Sequence, residues 1–384
     1  MRGAVMDMTY GTLRRYGRGD ALVDALAHRG TPDPEIRALL LCALHAIESG
    51  NYAAHVAVDQ AVRACVELKK PAAKGFVNAL LRRFLRERAV LEGRLACDPV
   101  ARAMHPAWWI DRLRASYPHN WEAILLAGNL HPPMGLRVNQ RRIQTEDYLE
   151  QLERQGMRAR RVGESALLLE QPVPVGRLPG FVRGEVSVQD PGAQRAAEHL
   201  DLSSGQRVLD ACAAPGGKTC HILESAEVEL LALDSDSGRC ERVRQNLARL
   251  ALEARVVAAD CALPEAWWDG RPFDRILADV PCTASGIVRR NPDIKWLRRA
   301  GDAARFAVDQ ARILDALWQV LAPGGKLLYV TCSVFPEENE LVAEAFCASR
   351  PGVRRLTLAG NAPAQLFPGA EQDGFFFALL QKET

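Results

Sequence analysis

Two cysteines, Cys282 in ADVPCTASG and Cys332 in YVTCSVFPEENE, each stand just beyond a short apolar run that reads as a β-strand. A third stretch, DACAAPGGKT at Asp210–Thr219, joins another apolar run to a predicted helix and supplies the pair Gly216 and Gly217. Thiolates are strong nucleophiles. Paired glycines let backbone approach a ligand closely, and the helix behind them offers N–H groups to an anion. These three stretches predict a bound anionic ligand beside a sulfur nucleophile.

The ending Gly217-Lys218-Thr219 suggests a triphosphate, but a phosphate loop needs glycine where Cys212 stands. The anion expected instead is the carboxylate of an amino-acid-like ligand. Three acids follow at the ends of apolar runs: Asp234 after LLAL, Asp260 after RVVAA and Asp279 after DRILA. Asp234 lies seventeen residues past Gly217, near the offset at which an acid reaches ribose hydroxyls, and ligands of open α/β sheets bind along this edge. Any one of these acids also suits a strand-end cap; three on one edge point to a nucleoside carrying an anion. Asp234 alone is compatible with NAD, but the glycine pattern is not GxGxxG. S-adenosylmethionine, an adenosine with a zwitterionic tail, is the preferred ligand.

If the strands before Cys282 and Cys332 are neighbours, both thiols face one cavity, and methylation of cytosine at C5 needs that chemistry. Carbon 5 is too weak a nucleophile to attack a methyl sulfonium, whereas a thiolate added at C6 makes it an enamine carbon. An acid near N3 assists the addition, and Asp279, three residues before Cys282, is the candidate. Residue chemistry does not rank the two sulfurs, since DNA cytosine methyltransferases use the cysteine of a Pro-Cys pair.

These residues need a scaffold of alternating strands and helices. From about Pro191 the runs RVLDA, LLALD, RVVAAD, DRILAD, KLLYVT and GFFFALLQ alternate with helical stretches such as SGRCERVRQNLARLAL, the pattern of an open, mostly parallel Rossmann-type sheet. The first hundred residues read as helices. In DPEIRALLLCALHAIES, Asp33 caps, Pro34 opens, and Ile36, Leu39, Leu40, Ala43, Leu44 and Ile47 share a face. In GFVNALLRRFLRER, Phe76, Val77, Leu80, Leu81, Phe84 and Leu85 are expected inward, leaving Arg82, Arg83, Arg86 and Arg88 outside. With Lys69, Lys70 and Lys74 these form either a phosphate-binding surface or an ordinary solvated face. Between lie a linker rich in aromatics and proline and a small α/β module, with a helix over TEDYLEQLERQ and a strand at SALLLEQ. The expected domains are 1–97, 98–190 and 191–384.

The bulk properties fit. The chain has 384 residues, 48% hydrophobic and 25% charged, which excludes extended disorder and a membrane class. A net charge of only +2 confines any nucleic-acid affinity to local patches. No secretory signal opens it, and the ten cysteines contain no CxxC pair or Cys/His cluster, so no metal is expected and most read as small buried hydrophobes.

CAAPGGKT, FDRILADVPCTASGIVRRNPDIKW, VTCSVFPEENE, LPGFVRGEVSVQDPGAQ and FPGAEQDGFFFALL together resemble the motifs of the Sun/Fmu (RsmB-type) ribosomal RNA cytosine-C5 methyltransferases. HVAVDQAVRACVELKKPAAKGFVNALLRRFLRER resembles their NusB-like RNA-binding domain. The resemblance implies Cys332 as nucleophile, Cys282 as the residue assisting product release, and S-adenosylmethionine contacts from Cys212, Ala213, Ala214, Pro215, Gly216, Gly217, Lys218, Asp234, Asp260 and Asp279. It implies small-subunit ribosomal RNA as partner and a cytoplasmic monomer, and it favours RNA binding by Arg82, Arg83 and Arg86. Arg289, Arg290, Lys295, Arg298 and Arg299, beside the site, are expected to grip phosphates. Trp296 is either a base-stacking residue or a core tryptophan. The YGTLRR stretch normally follows a first helical segment in that family, so the helical domain is expected to lack its opening helices here, or translation to start upstream. The reading from a different class is an RNA-binding assembly or antitermination factor with a vestigial cofactor pocket.

Overall fold

The computed structural model describes residues 2–27 and 32–384. The chain divides into two compact units, Met1–Leu130 with Val288–Ala300, and His131–Ile287 with Gly301–Thr384.

The first unit is helical: α1 (Arg2–Arg14), α2 (Tyr16–Leu26), α3 (Pro34–Ser49), α4 (Ala54–Glu67), α5 (Lys74–Leu95), α6 (Pro99–Ala103), α7 (Ala107–Ser116) and α8 (Trp121–Asn129). Asp33 caps α3 by accepting the Glu35 N–H at 3.0 Å, and Gly50 ends it at φ +72°, the left-handed geometry glycine adopts without penalty. Leu40, Leu44, Val77, Leu81 and Phe84 are wholly buried among these helices. Phe76 and Leu85, expected inward, are 42% and 39% exposed. Each sits one residue, or about 100° of rotation, beyond an end of the Val77–Leu80–Leu81–Phe84 stripe, and so at its edge. The segment Val288–Ala300 belongs to this unit through α13 (Ile294–Leu297), where Lys295 Nζ donates to the Arg14 carbonyl at 3.0 Å and to Asn129 Oδ1 at 2.8 Å.

The second unit opens with a small antiparallel sheet. Its strands are β1 (Met134–Val138), β2 (Ala159–Arg161), β3 (Ala166–Leu169) and β4 (Val186–Val188), in the order β2-β3-β1-β4, with α9 (Thr145–Arg154) between β1 and β2. Tyr148 and Leu152 of α9 close its core against Leu136, Leu167 and Val186.

After α10 (Pro191–His199) come β5 (Arg207–Asp210), α11 (Gly217–Ser225), β6 (Glu229–Asp234), α12 (Ser237–Leu250), β7 (Arg255–Ala258), β8 (Phe273–Asp279), α14 (Asp302–Gln319), β9 (Leu321–Thr331), α15 (Glu340–Ala348), β10 (Val353–Leu356), β11 (Gln365–Leu366) and β12 (Phe375–Lys382). The sheet order is β10-β12-β9-β8-β5-β6-β7. Strands β9, β8, β5, β6 and β7 run parallel, while β12 is antiparallel to both its neighbours. This is a Rossmann-type sheet. Alternate side chains of each strand enter opposite layers: Leu209, Ile276 and Leu327 pack with Ile313 and Leu317 of α14, and Val208, Leu277 and Leu328 with Ile222 of α11 and Val243 of α12. The strand order reverses at β5, whose neighbours are β6 and β8. The crevice for a ligand is therefore expected beyond the C-terminal ends of β5 and β8.

His199, at the end of α10, lies edge-on to Phe377 with a centroid distance of 5.1 Å. Neither of its ring nitrogens has a hydrogen-bond partner among the described residues. Burial, then the Arg195 charge, lowers its pKa to about 4. The unfolded ring, near 6.5, takes a proton that the folded ring refuses. Its contribution to stability is thus full above about pH 6.5 and is lost as pH falls toward 4. His199→Leu is expected to flatten this segment of the pH–stability curve in urea unfolding; an unchanged slope would count against the buried neutral ring.

Candidate active site

The loop after β5 is shaped by Gly216, whose φ is +99° and where a Cβ would come within 3.1 Å of the Val243 backbone. Conformation and space both demand glycine there. Thr219 Oγ1 at the first turn of α11 donates to Asp210 Oδ2 at 2.7 Å, tying the helix start to the strand end. Burial, only partly opposed by the Thr219 hydrogen bond, lifts the Asp210 pKa to about 7. From behind, Arg137 of β1 chelates Glu224 at 2.7 and 2.8 Å and reaches the Gly217 carbonyl at 2.7 Å. The loop is thus held by both the small sheet and the large one.

A cavity of about 430 Å³ opens beside the loop, lined by Cys212, Ala214, Asp234, Asp260, Asp279, Cys282 and Cys332, among others. Asp234 is 4% exposed and accepts the Ala214 N–H at 3.2 Å and the Asp236 N–H at 3.1 Å. Asp260 stands two residues past β7, accepts the Ala262 N–H at 2.9 Å, and faces Arg312 at 3.4 Å. Asp279 ends β8 and meets Lys218 Nζ at 2.6 Å. Burial alone would lower the Lys218 pKa, but the Asp279 carboxylate outweighs it, so Lys218 remains an ammonium. These residues suit S-adenosylmethionine. A strand-end carboxylate lies in reach of a ribose, the glycine turn leaves backbone accessible, and α11 turns its N-terminus to the loop.

Because β8 and β9 are adjacent and parallel, the loops that leave them bring Cys282 Sγ and Cys332 Sγ to 3.4 Å. The condition set by the sequence, that the two strands be neighbours, is met. The hydrogen bond to Cys332, then burial, holds the Cys282 thiol well above its ordinary pKa, and the Cys332 and Glu338 charges add to this. Cys282 is thus held as a thiol, and its sulfur lies within hydrogen-bonding distance of Cys332 Sγ. The backbone reinforces the contact: Gly286 N–H donates to the Cys332 carbonyl at 2.8 Å, and Gly374 N–H to the Gly286 carbonyl at 2.9 Å.

Residues 197–381 match the 16S rRNA methyltransferase RsmB/F family, residues 105–176 the ferredoxin-like domain of RsmF/B-like methyltransferases, and residues 1–86 the NusB family. Ribosomal RNA small subunit methyltransferase B of Pseudomonas syringae pv. tomato is 45% identical over 99% of this chain and 89% of its own length. The chain belongs to the ribosomal RNA small subunit methyltransferase B family. The protein of that name from Vibrio cholerae is 42% identical over 99% of this chain and 89% of its own. Among solved structures, PH0851 superposes with a TM-score of 0.85 at 25% identity, covering 99% of this chain and 90% of that one. A methyltransferase homologue from Pyrococcus horikoshii gives 0.66 at 28%, covering 74% and 98%. The family is one of S-adenosylmethionine-dependent methyltransferases, and S-adenosylmethionine is the cofactor.

The cavity gathers Cys212, Ala214, Asp234, Asp260, Asp279, Cys282 and Cys332, and Ala213, Pro215, Gly216, Gly217 and Lys218 form the turn and the helix start around it. The basic residues fare differently. Lys295 is fully buried and Arg289 is 1% exposed; burial lowers the Lys295 pKa to about 7. Neither side chain lies on a surface where it could grip a phosphate, which corrects the expectation for both. Trp296 is a packing residue: Nε1 donates to the Leu13 carbonyl at 2.9 Å, the ring lies 4.9 Å from Tyr16, and a Cβ at Gly17 would strike it. Arg299 is exposed, and Arg290 and Arg298 are half-buried. On α5, Arg82 and Arg86 are exposed, whereas Arg83 is drawn to Glu87 at 2.8 Å and to the Leu26 carbonyl at 3.3 Å. The sequence reading gave no role to Arg239 and Arg312 at the cavity rim, or to Cys261, which sits 3.9 Å from Cys212. Arg312 follows Asp309 on one face of α14 at helical spacing, the one signal that could have flagged it.

No helix among the described residues is long and apolar enough to cross a membrane. Nor do those residues contain a group of three or more His, Cys, Asp or Glu side chains placed to hold a metal ion.

Proposed function

We propose that this protein transfers a methyl group from S-adenosylmethionine to C5 of a cytosine in 16S ribosomal RNA through a covalent cysteine–C6 adduct. The observation that carries the reading is the 3.4 Å approach of Cys282 and Cys332 inside the cavity that Asp234 and the glycine loop share. The names of the relatives supply the RNA class.

S-adenosylmethionine bound there supplies an electrophilic methyl sulfonium. The loop from Cys212 to Lys218, with Asp234 and Asp260, would hold it, beside Asp279 and its partner Lys218. Cys332 Sγ, as thiolate, attacks C6 of a cytosine that has left its stack. The ring's electron pair moves toward N3, where the Asp279–Lys218 pair provides the proton or hydrogen bond that steadies it. Carbon 5 then has enamine character and takes the methyl group. To finish, a base removes the C5 proton, the C5–C6 double bond re-forms, and the C6–S bond breaks with its electrons returning to Cys332. Cys282, whose thiol already faces Cys332 Sγ, assists this release. Exposed Arg299, Arg82 and Arg86 serve as phosphate contacts that orient the RNA without reading its sequence.

The direct test is transfer of labelled methyl groups from S-adenosylmethionine to unmodified 16S RNA, with the product position read by bisulfite sequencing. Label at a single cytosine is expected. Binding without any transfer would replace the enzyme with an assembly or antitermination factor. The cofactor site has its own test. Asp234→Ala is expected to weaken S-adenosylmethionine about ten- to a hundredfold in calorimetry, since it removes hydrogen bonds to a charged acceptor. Unchanged affinity would refute the ribose contact.

A further inference from the structure

We propose that Glu338 is a positioning residue that fixes the spacing of the two sulfurs by holding the loops of Cys282 and Cys332 on one carboxylate. The proposal deepens the reading of the two-cysteine site and rests on it.

Glu338 follows β9 in the single turn Pro336–Glu338 that precedes α15, and it is fully buried. Its Oε1 accepts the Thr283 N–H at 2.6 Å, and its Oε2 accepts the Thr283 hydroxyl and, at 2.6 Å, the Ser333 hydroxyl. Thr283 is the residue after Cys282, and Ser333 the residue after Cys332. One carboxylate therefore grips the immediate neighbour of each sulfur. Ser333 Oγ also lies 2.9 Å from Ser285 Oγ, which accepts the Val334 N–H at 2.9 Å, so the loops are cross-tied a second time. Asn339, next in sequence, bonds Thr331 Oγ1 through Oδ1 and donates to the Ser333 carbonyl at 2.9 Å, clasping Cys332 from both flanks. Behind Cys282, Gln310 donates to the Pro281 carbonyl at 2.9 Å, and the Tyr329 hydroxyl sits between Gln310 Oε1 and the Glu338 carbonyl.

The chemistry selects a carboxylate rather than any polar residue. Donors arrive at both oxygens, and only an ionised carboxylate presents acceptors alone. A glutamine of the same shape would turn an N–H₂ group toward either the Thr283 N–H or the two hydroxyls, so one loop would lose its tie. Glu338 acts through the loops, since its hydrogen bonds go to the residues that follow the two sulfurs, while its charge adds to the rise of the Cys282 pKa.

The separation of the sulfurs can be read without RNA or cofactor. In a glutathione redox buffer, the equilibrium between the reduced pair and the Cys282–Cys332 disulfide reports their effective concentration. Peptide mapping separates this pair from Cys212 and Cys261. Glu338→Gln is expected to lower that effective concentration about tenfold or more, with Glu338→Asp recovering part of the loss. In single turnover, the same variant is expected to form the RNA adduct near the wild-type rate and to resolve it about tenfold more slowly. Should Glu338→Gln fail to fold, Ser333→Ala removes one tie alone and is read the same way. An unchanged effective concentration in a folded variant overturns the proposal, as does a lowered one with wild-type resolution. Absence of methyl transfer by the wild type would sink the proposed reaction instead, since the redox measurement does not depend on it.

Discussion

Cys332→Ala is expected to lose methyl transfer by at least about a thousandfold while keeping its affinity for S-adenosylmethionine. The expected size follows from what the sulfur does. Without an adduct at C6, carbon 5 of cytosine has no electron pair to offer, and removing a covalent nucleophile from such a site costs several orders of magnitude in turnover. The cofactor contacts should survive because the loop, Asp234 and Asp260 are held by Val243, Arg137 and their own backbone partners rather than by this thiol. Single-turnover transfer and calorimetry on one protein preparation check both halves. Turnover within tenfold of the wild type would overturn the assignment. So would equal losses of binding and turnover, which would mean that the cavity had collapsed.

Cys282→Ala is expected to do the opposite of silencing the protein. Cys332 remains able to attack, the methyl group is still taken up, and the C6–S bond then fails to break at a useful rate. The result is a methylated RNA covalently joined to the protein, stable to denaturing gels and dependent on both RNA and S-adenosylmethionine. The geometry supports this division of labour: Cys282 sits 3.4 Å from Cys332 with its thiol kept protonated by that contact and by burial, poised to serve the departing sulfur rather than to compete with it. If Cys282→Ala forms no adduct but loses activity, the roles of the two sulfurs are exchanged. If it turns over normally, Cys282 has no part in release.

The positions of these sulfurs were legible because the runs before them are strongly apolar and stop abruptly, so strand ends could be placed within a few residues. Their adjacency was not. Strand order is decided by which faces bury one another across the whole sheet, and DRILAD and KLLYVT carry no local mark that β8 and β9 pair. Lys295 and Arg289 misled for a related reason. A run of Arg and Lys reads as surface by composition, whereas Lys295 finds the Arg14 carbonyl and Asn129 some hundreds of residues away in sequence, partners that no local pattern announces. Glu338 was hidden in the acidic PEENE stretch, which looks solvated until the turn at Pro336 directs it inward. The edge strand β10, VRRL, is half charged and has no inward-facing period to betray it. Helix α3, by contrast, opens as read at Asp33 and Pro34, because a cap and a first-turn proline are local chemistry; the Gly50 that ends it had no part in that reading.

The cavity wall carries four thiols in two pairs, Cys212 with Cys261 on the β5–β7 side and Cys282 with Cys332 on the β8–β9 side. An adenosine scaffold bearing a soft electrophile would thus meet a distinct acceptor at each side of its berth. A chloroacetamide placed near the adenine or at the 5′ position would brand whichever pair lies beside it. Mass mapping of such brands would orient the nucleoside in the cleft, and the brand at Cys332 would be the starting point for a covalent inhibitor.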